Sequence, residues 1–537
     1  MTFIHTQRPL RAIITVFILA LSAAVLAMPQ GARAQSAAFK QAVAETAARD
    51  RAVATFYRSR DYAPIFTGRK DGSRRSALLK ALGTADDHGL PTARYPAKKL
   101  KDAFRAAKSP RERGQVEVMA AQMFVRFARD LQTGALEPRK IDSGIVRSIP
   151  RRDPVALLNA YAKTSPSKFM KSLAPRTPEY TRLMKAKLQL EKTVGRGGWG
   201  QPVQAKALKP GQSGGAVVQL RNRLIAMGYM RRKSGQSYDA NMQKAVQLFQ
   251  IDHGLNPDGT AGPSTMAAIN KSAVQRLQSV MVAMERERWL NKPRGKRHVL
   301  VNIPSYKAQI IDNGKVTFET RTVVGSNQSD RRTPEFSDVM EHMVINPTWN
   351  VPRSIATKEY LPLFKRNPGA AGHLQLYDNR GRKVSRSSVN FNAYNERNFP
   401  YAIKQPPSRR NALGLVKFMF PNKYNIYLHD TPSKNLFARE ARAFSHGCIR
   451  LQQPFDFAYA LLAKQTRDPQ GLFQARLKTG SENVVPLETQ IPVHLIYRTA
   501  FTQPKGRMNY REDVYGRDGR IWAALAKAGT RLRGSAS

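Results

Sequence analysis

Three patterns of apolar and polar positions follow one another along the chain. The first is helical. In "VEVMAAQMFVRFARDLQTGAL" (Val116 to Leu136), Met119, Met123, Phe124, Phe127 and Leu131 recur at helical spacing and share one face. The stretch ends near Gly134, a residue suited to a helix C-terminus. Residues 36–192 read throughout as mostly helical and carry no recognisable chemistry. A helical scaffold domain is therefore expected over 35–200.

The second pattern is compact. "VGRGGWGQPVQAKALKPGQSGG" (194–215) is glycine-rich and reads as a linker. After it, Val217, Leu220, Leu224 and Met227 form one apolar helix face, and Met242, Val246 and Phe249 form another. "NPDGTAGPST" reads as a loop from which Ser264 or Thr265 caps a third helix. A three-helix module is expected over 208–272, followed by a connecting helix over 273–295.

The third pattern alternates. "RHVLVNIPSYKAQIIDNGKVTFETRTVVG" has the period of strands, with a hairpin turn at "DNGK". More strands are expected at "HMVINP", "KFMF", "NIYLHD" and "QIPVHLIYRTAF". "QQPFDFAYALLAKQ" reads as a helix with Pro454 in its first turn. The spacing predicts a mainly β, α+β domain over 296–500, with a tail over 501–537. The long stretch at 354–412 is rich in Arg, Asn and Ser. A connection of that length is expected to be a lid or binding element. The fold class is thus multidomain.

Composition narrows the function classes. With 41% hydrophobic residues the chain can build cores and is not a disordered protein. Its formal net charge of +51 points to polyanionic partners: nucleic acid, membrane surfaces or anionic polymers. The first residues decide among them. Arg8 and Arg11 precede an apolar run from Ala12 to Ala27, and "ARA" follows at Ala32 to Ala34. This is the layout of a secretory signal peptide over 1–34, cut before Gln35. An uncleaved anchor is the other reading. No later run reaches 18 apolar residues, so a soluble mature protein is expected in a periplasm. Export removes nucleic acid and leaves the envelope's own polyanions: peptidoglycan carboxylates, lipid headgroups and lipopolysaccharide phosphates. A merely solvated basic surface explains the charge equally well.

Export also isolates one residue. Cys448, in "RAFSHGCIRL", is the chain's only cysteine, so no internal disulfide can form. A lone thiol in an oxidising compartment is either inert or reactive for a purpose. His446 and Arg450 flank it, Gly447 lets the backbone bend, and His429 ends the strand pattern 19 residues earlier. A histidine and a fixed positive charge favour a thiolate nucleophile. Two other readings stay open at this point. Cys448 is a small core residue, or it joins both histidines and Asp430 around zinc.

"HDTPSKNLFAREARAFSHGCIRL" resembles the signature of the L,D-transpeptidases (YkuD-like): a histidine, then Ser-His-Gly-Cys within about twenty residues. "VLVNIPSY", "TVVGSNQSDRRTPEFSD", "INPTWNVPRSIA", "NALGLVKFMFPNKYNIYLHDTP" and "IPVHLIYRTAFT" extend the likeness to the large multidomain periplasmic type. Residues 208–272 resemble the peptidoglycan-binding module, at positions that include Gly228-Tyr229, Phe249-Gln250 and Asp258-Gly259. The resemblance implies Cys448 as nucleophile and His429 as its base. Ser445 would orient His429 through its backbone carbonyl. His446 and Gly447 would shape the pocket, and the amides of Gly447 and Cys448 would form the oxyanion hole. Arg450 would brace the loop or meet a substrate carboxylate. Tyr427, Asn411 and Gly414 match positions near the substrate. At Ser408-Arg409-Arg410 a glycine-containing turn is expected and absent, which leaves the lid's conformation open. The implied reaction joins two peptidoglycan stem peptides by a 3–3 cross-link, with no cofactor and no metal. The rival products are a carboxypeptidase's and a lipoprotein-tethering enzyme's. A non-catalytic wall-binding protein is the remaining rival.

Overall fold

The computed structural model describes residues 30–503 and 506–534, with side chains from residue 35 onward. The signal-peptide reading of residues 1–34 falls outside the side chains described. Contacts divide the chain into two compact units. One comprises residues up to 135 with 150–176 and 528–531; the other comprises 136–149, 177–527 and the last residues. No described helix is long and apolar enough to cross a membrane.

The first unit is all helix. Its longest helix, Pro110–Thr133, opens on a capping box in which Ser109 and Glu112 satisfy each other's backbone N–H groups. It ends at Gly134, whose N–H donates to the Asp130 carbonyl. Phe124, Phe127 and Leu131 are buried as the spacing predicts, while Met119 and Met123 pack at the rim of that core. The ring of Phe124 stacks on Tyr161 at 4.5 Å.

The second unit holds two helices, Pro178–Gly195 and Ala273–Trp289, packed on each other. The three-helix module lies between them in sequence: Gly215–Ala226, Ala240–His253 and Pro263–Ile269. Val217, Leu220, Leu224, Met242, Val246 and Phe249 make its core. Two expectations are corrected. The residue before the third helix is Gly262, so Ser264 and Thr265 lie inside it, and the Thr265 hydroxyl accepts from Gln250 Nε2 at 3.1 Å. Val203 and Leu208 of the expected linker are buried in the module core, and Leu208 bridges to Ala261.

The β domain begins with β1 (Arg297–Asn302), β2 (Lys307–Asp312), β3 (Lys315–Gly325) and β4 (Ser337–Ile345). Four short strands follow: β5 (Trp349–Asn350), β6 (Gln375–Tyr377), β7 (Lys383–Val384) and β8 (Ala402–Gln405). Next come β9 (Val416–Met419), β10 (Leu428–His429), β11 (Ala443–Ser445), β12 (Ile449–Leu451) and β13 (Asn483–Ile496). The hairpin between β2 and β3 turns at Asn313 and Gly314, both at positive φ, as "DNGK" predicts. The main sheet runs β11-β3-β12-β10-β9-β4-β13-β1-β2, and β2 also pairs with β3. Hydrogen bonding therefore closes into a circuit of strands around one apolar core that includes Val299, Ile310, Met343, Phe418, Leu428 and Ile449.

Two regions differ from the sequence reading. Residues 354–412 are not an open loop. The sheet β5-β8-β6-β7 and the helix Leu361–Arg366 fold around Trp349, Leu361, Phe364, Phe391 and Phe399. Strands of two to four residues are too short to show a period, which is why the pattern concealed them. Residues beyond 500 are not a tail either. They form the hairpin β14 (Ala500–Thr502) and β15 (Met508–Tyr510) and the helix Arg517–Lys527. That helix buries Ile521 and Leu525 against Ile145, Val282 and Trp289.

Candidate active site

Strand alternation builds the site. β10 and β12 are parallel neighbours, with Leu428 opposite Ile449 and His429 opposite Arg450. Leu428, Ile449 and Leu451 point into the core. Their alternates, Tyr427, His429, Cys448 and Arg450, therefore share the opposite face, and all four line one cavity of about 510 Å³. The remaining wall comes largely from the folded insertion, including Trp349, Glu359, Tyr360 and Arg410.

Gly447 forces the approach to Cys448. Its φ is +119°, and a Cβ there would sit 3.1 Å from Ile426 Cδ1. The Thr333 hydroxyl donates to the Gly447 carbonyl at 2.7 Å, and the Gly447 N–H donates to Ser445 Oγ at 3.1 Å. Ser445 Oγ donates in turn to the Cys448 carbonyl at 2.5 Å. The loop is thus tied from within. The Gly447 amide has a partner, which corrects its expected place in an oxyanion hole.

Cys448 is half-buried, and its Sγ donates to the Asn425 carbonyl at 3.4 Å. Burial pushes its pKa up to about 11, against the opposing pull of hydrogen bonds with Tyr427 and the charge of Arg450. His429 is buried and lowered to about 3, first by burial and then by Arg450. Both shifts favour the neutral forms, a thiol and an imidazole lining the same cavity. His429 Nδ1 donates to the Asp430 carbonyl at 2.5 Å, which leaves Nε2 as the ring's acceptor. The Asp430 and Leu413 carbonyls hold the ring. The Ser445 carbonyl instead accepts the Ser326 N–H at 2.8 Å, which corrects its expected role in orienting His429.

The other expected residues separate. Tyr427 lines the cavity, its ring 5.7 Å from that of His429. Asn411 does not line it. It is fully buried, donating to the carbonyls of Pro347, Gln405 and Pro406 and accepting from the Leu413 N–H. Gly414 is likewise structural. At φ +64° its missing Cβ would lie 2.2 Å from Asp430 Oδ2, and that oxygen accepts the Leu415 N–H. These two residues set the backbone that holds His429. The Ser408–Asn411 turn closes with ordinary negative φ, so it needs no glycine. The Asp430 carboxylate also pairs with Lys434. Among the described residues no group of three His, Cys, Asp or Glu side chains is placed to hold a metal.

Sequence reasoning missed Glu359. Its carboxylate meets His446 Nε2 at 2.6 Å and Arg331 at 2.7 Å, so the insertion is joined to the cysteine loop at the cavity's edge. Nothing in "TKEYLP" marks this glutamate, because the fold alone brings it to His446. Arg450 is the site's least satisfied group: its Nε is buried without a hydrogen-bond partner.

Residues 296–470 match the family described as L,D-transpeptidase catalytic domain. Residues 213–269 match "Putative peptidoglycan binding domain", and 51–186 match a scaffold domain. A curated relative from Haemophilus influenzae, "Putative L,D-transpeptidase", is 35% identical over 244 residues, covering 45% of this chain and 48% of the relative. The match thus spans about half the length of that relative. Crystal structures of an L,D-transpeptidase from Xylanimonas cellulosilytica and one from Stackebrandtia nassauensis are each 15% identical and cover 55% of this chain. They are matched over 100% and 97% of their own length, with TM-scores of 0.16 and 0.22.

Proposed function

We propose that this chain, whose residues 296–470 match an L,D-transpeptidase catalytic domain, joins peptidoglycan stem peptides by 3–3 cross-links through a thioester on Cys448, in the periplasm. The observation that carries the reading is the shared strand face of Cys448, His429 and Arg450 in one cavity.

The donor's third residue, meso-diaminopimelate, presents its carbonyl to Sγ. The thiol turns from the Asn425 carbonyl, and His429 Nε2 takes its proton as the C–S bond forms. The Cys448 N–H faces the developing oxyanion, where one such donor is worth roughly 3 kcal/mol. The proton passes to the leaving D-alanine amine as the C–N bond breaks. The acceptor's diaminopimelate amine then attacks the thioester, loses its proton to His429, and releases the thiol. Arg450, with a donor unmatched in the protein, holds a stem carboxylate. The insertion keeps water from the thioester.

Purified enzyme incubated with disaccharide-tetrapeptides should release D-alanine and yield the cross-linked dimer, read by mass. Tripeptide without dimer would make water the acceptor. No product of either kind would refute acyl transfer.

A further inference from the structure

The helical first unit has a cavity of its own, of about 420 Å³. Three helices wall it. Gly72–Gly83 supplies Arg75 and Leu79, and Ala97–Ala106 supplies Lys101, Phe104 and Arg105. Residues three and four apart share a helix face, so each of these faces carries apolar and basic groups together. Arg113 enters from the start of Pro110–Thr133.

The lining sorts by depth. Leu79 and Phe104 are half-buried, whereas Lys101, Arg105 and Arg113 are exposed. An apolar base therefore lies inside a rim of positive charge. Arg75 joins the two. It is half-buried, its guanidinium donates to the Phe66 carbonyl at 2.7 Å, and it lies 5.6 Å from the Phe104 ring centroid. The Phe66 N–H donates in turn to the buried Glu117 carboxylate at 3.1 Å, so Arg75 is anchored to fixed backbone.

These charges have no partner in the protein. No Asp or Glu lines the cavity, and none of the four basic side chains forms an ion pair among the described residues. The acids of neighbouring turns are engaged elsewhere. Asp71 pairs with Arg74 at 2.6 Å and Asp102 with Lys98 at 2.8 Å. Glu112 accepts the N–H groups of Lys108 and Ser109, both at 2.8 Å. Arg105 and Lys101 act on Asp102 only through space, and less than Lys98 does. Like charges gathered on one concave surface raise its potential and draw in an anion.

The residue types narrow that anion. Three of the four cations are arginines, whose planar forks match phosphate oxygens in pairs. A small soluble phosphate would leave Leu79 and Phe104 uncovered. A lipid headgroup would cover them with its glycerol and first methylenes. We infer that this cavity is a binding site for the phosphate headgroup of an anionic lipid, by which the helical unit docks on a membrane surface. The inference is independent of Cys448, since every wall residue lies in the first unit.

The test uses the full chain and dihexanoyl-phosphatidylglycerol, a lipid short enough to stay monomeric. Calorimetry should show it binding at least tenfold more tightly than dihexanoyl-phosphatidylcholine, whose choline cancels the phosphate charge, and less tightly as salt is raised. It should bind at least fivefold more tightly than glycerol phosphate, which lacks the chains. The double variant Arg105→Glu, Arg113→Glu changes exposed, unpaired side chains, so its melting curve should match wild type. It should weaken lipid binding at least tenfold. Lys168→Glu, Lys171→Glu reverses as many charges at exposed positions of the same unit outside the cavity, and should weaken binding less than twofold. Absent binding, or equal loss in the two double variants, would overturn the inference and leave a diffuse basic surface. Glycerol phosphate binding as tightly as the lipid would overturn the lipid assignment in favour of a soluble phosphate.

Discussion

Two regions bury polar groups in opposite ways. In the helical unit Glu117 is fully buried, and its carboxylate accepts from the Tyr57 hydroxyl, the N–H groups of Ile65, Phe66 and Thr67, and the Thr67 hydroxyl. Burial raises its pKa and those donors pull it back down. Every acceptor position is used, so the group staples a loop and can do nothing else. In the β domain, the Cys448 thiol has a long contact to the Asn425 carbonyl beside its hydrogen bonds with Tyr427, and Arg450 Nε has no partner. A polar group that is buried and fully matched holds structure; one that is buried and unmatched is free to meet a ligand.

The largest expected effect tests that contrast directly. Cys448→Ala should abolish cross-linking with an unchanged melting temperature. A carbapenem-type β-lactam should add once per wild-type chain by intact mass, and not at all to the variant. An adduct that persists in Cys448→Ala would move the nucleophile elsewhere.

Next is the pH response of the free thiol. A pKa raised to about 11 makes the thiolate a minor species at neutral pH. Its fraction grows about tenfold per pH unit below that value. Alkylation of Cys448 by iodoacetamide should therefore rise without a plateau from pH 6 to 9, roughly a thousandfold. A plateau near pH 7 would mean that Cys448 and His429 rest as an ion pair.

The staple should fail differently. Glu117→Ala strands several buried donors and should cost about 3 kcal/mol or more of stability. Denaturant titration measures the loss, while β-lactam acylation of the folded fraction should hold within about twofold. Loss of acylation without loss of stability would remove Glu117 from a purely structural role.

The smallest effect concerns Arg450. Arg450→Gln should lower kcat/KM on disaccharide-tetrapeptides about tenfold, an effect of ~1.4 kcal/mol. Acylation by an uncharged thioester should change far less. Equal losses on both would make Arg450 a brace for the loop.

The candidate site was legible because it is local in sequence. Ser-His-Gly-Cys is contiguous, and the strand period alone places Tyr427 beside His429 and Cys448 beside Arg450. The module's core was legible for the same reason, since Leu220, Leu224, Val246 and Phe249 repeat at helical spacing. Asn411 and Gly414 were visible as significant positions, but their backbone-setting role was not. Whether an asparagine meets substrate or three carbonyls depends on which segments fold against it.

What the sequence by itself determined is the set of periods, the glycine turns, and one thiol between a histidine-glycine and an arginine. Tertiary structure alone decided that Glu359 meets His446, that 354–412 folds around its own core, and that residues after 500 form a hairpin and a packed helix. It also decided the charge state of the site. Burial, a property of the assembled fold, raises the thiol and lowers the imidazole, whereas the neighbouring residue types by themselves point toward a thiolate. Periodicity is written residue by residue, but desolvation and long-range pairing arise only when distant segments exclude water together.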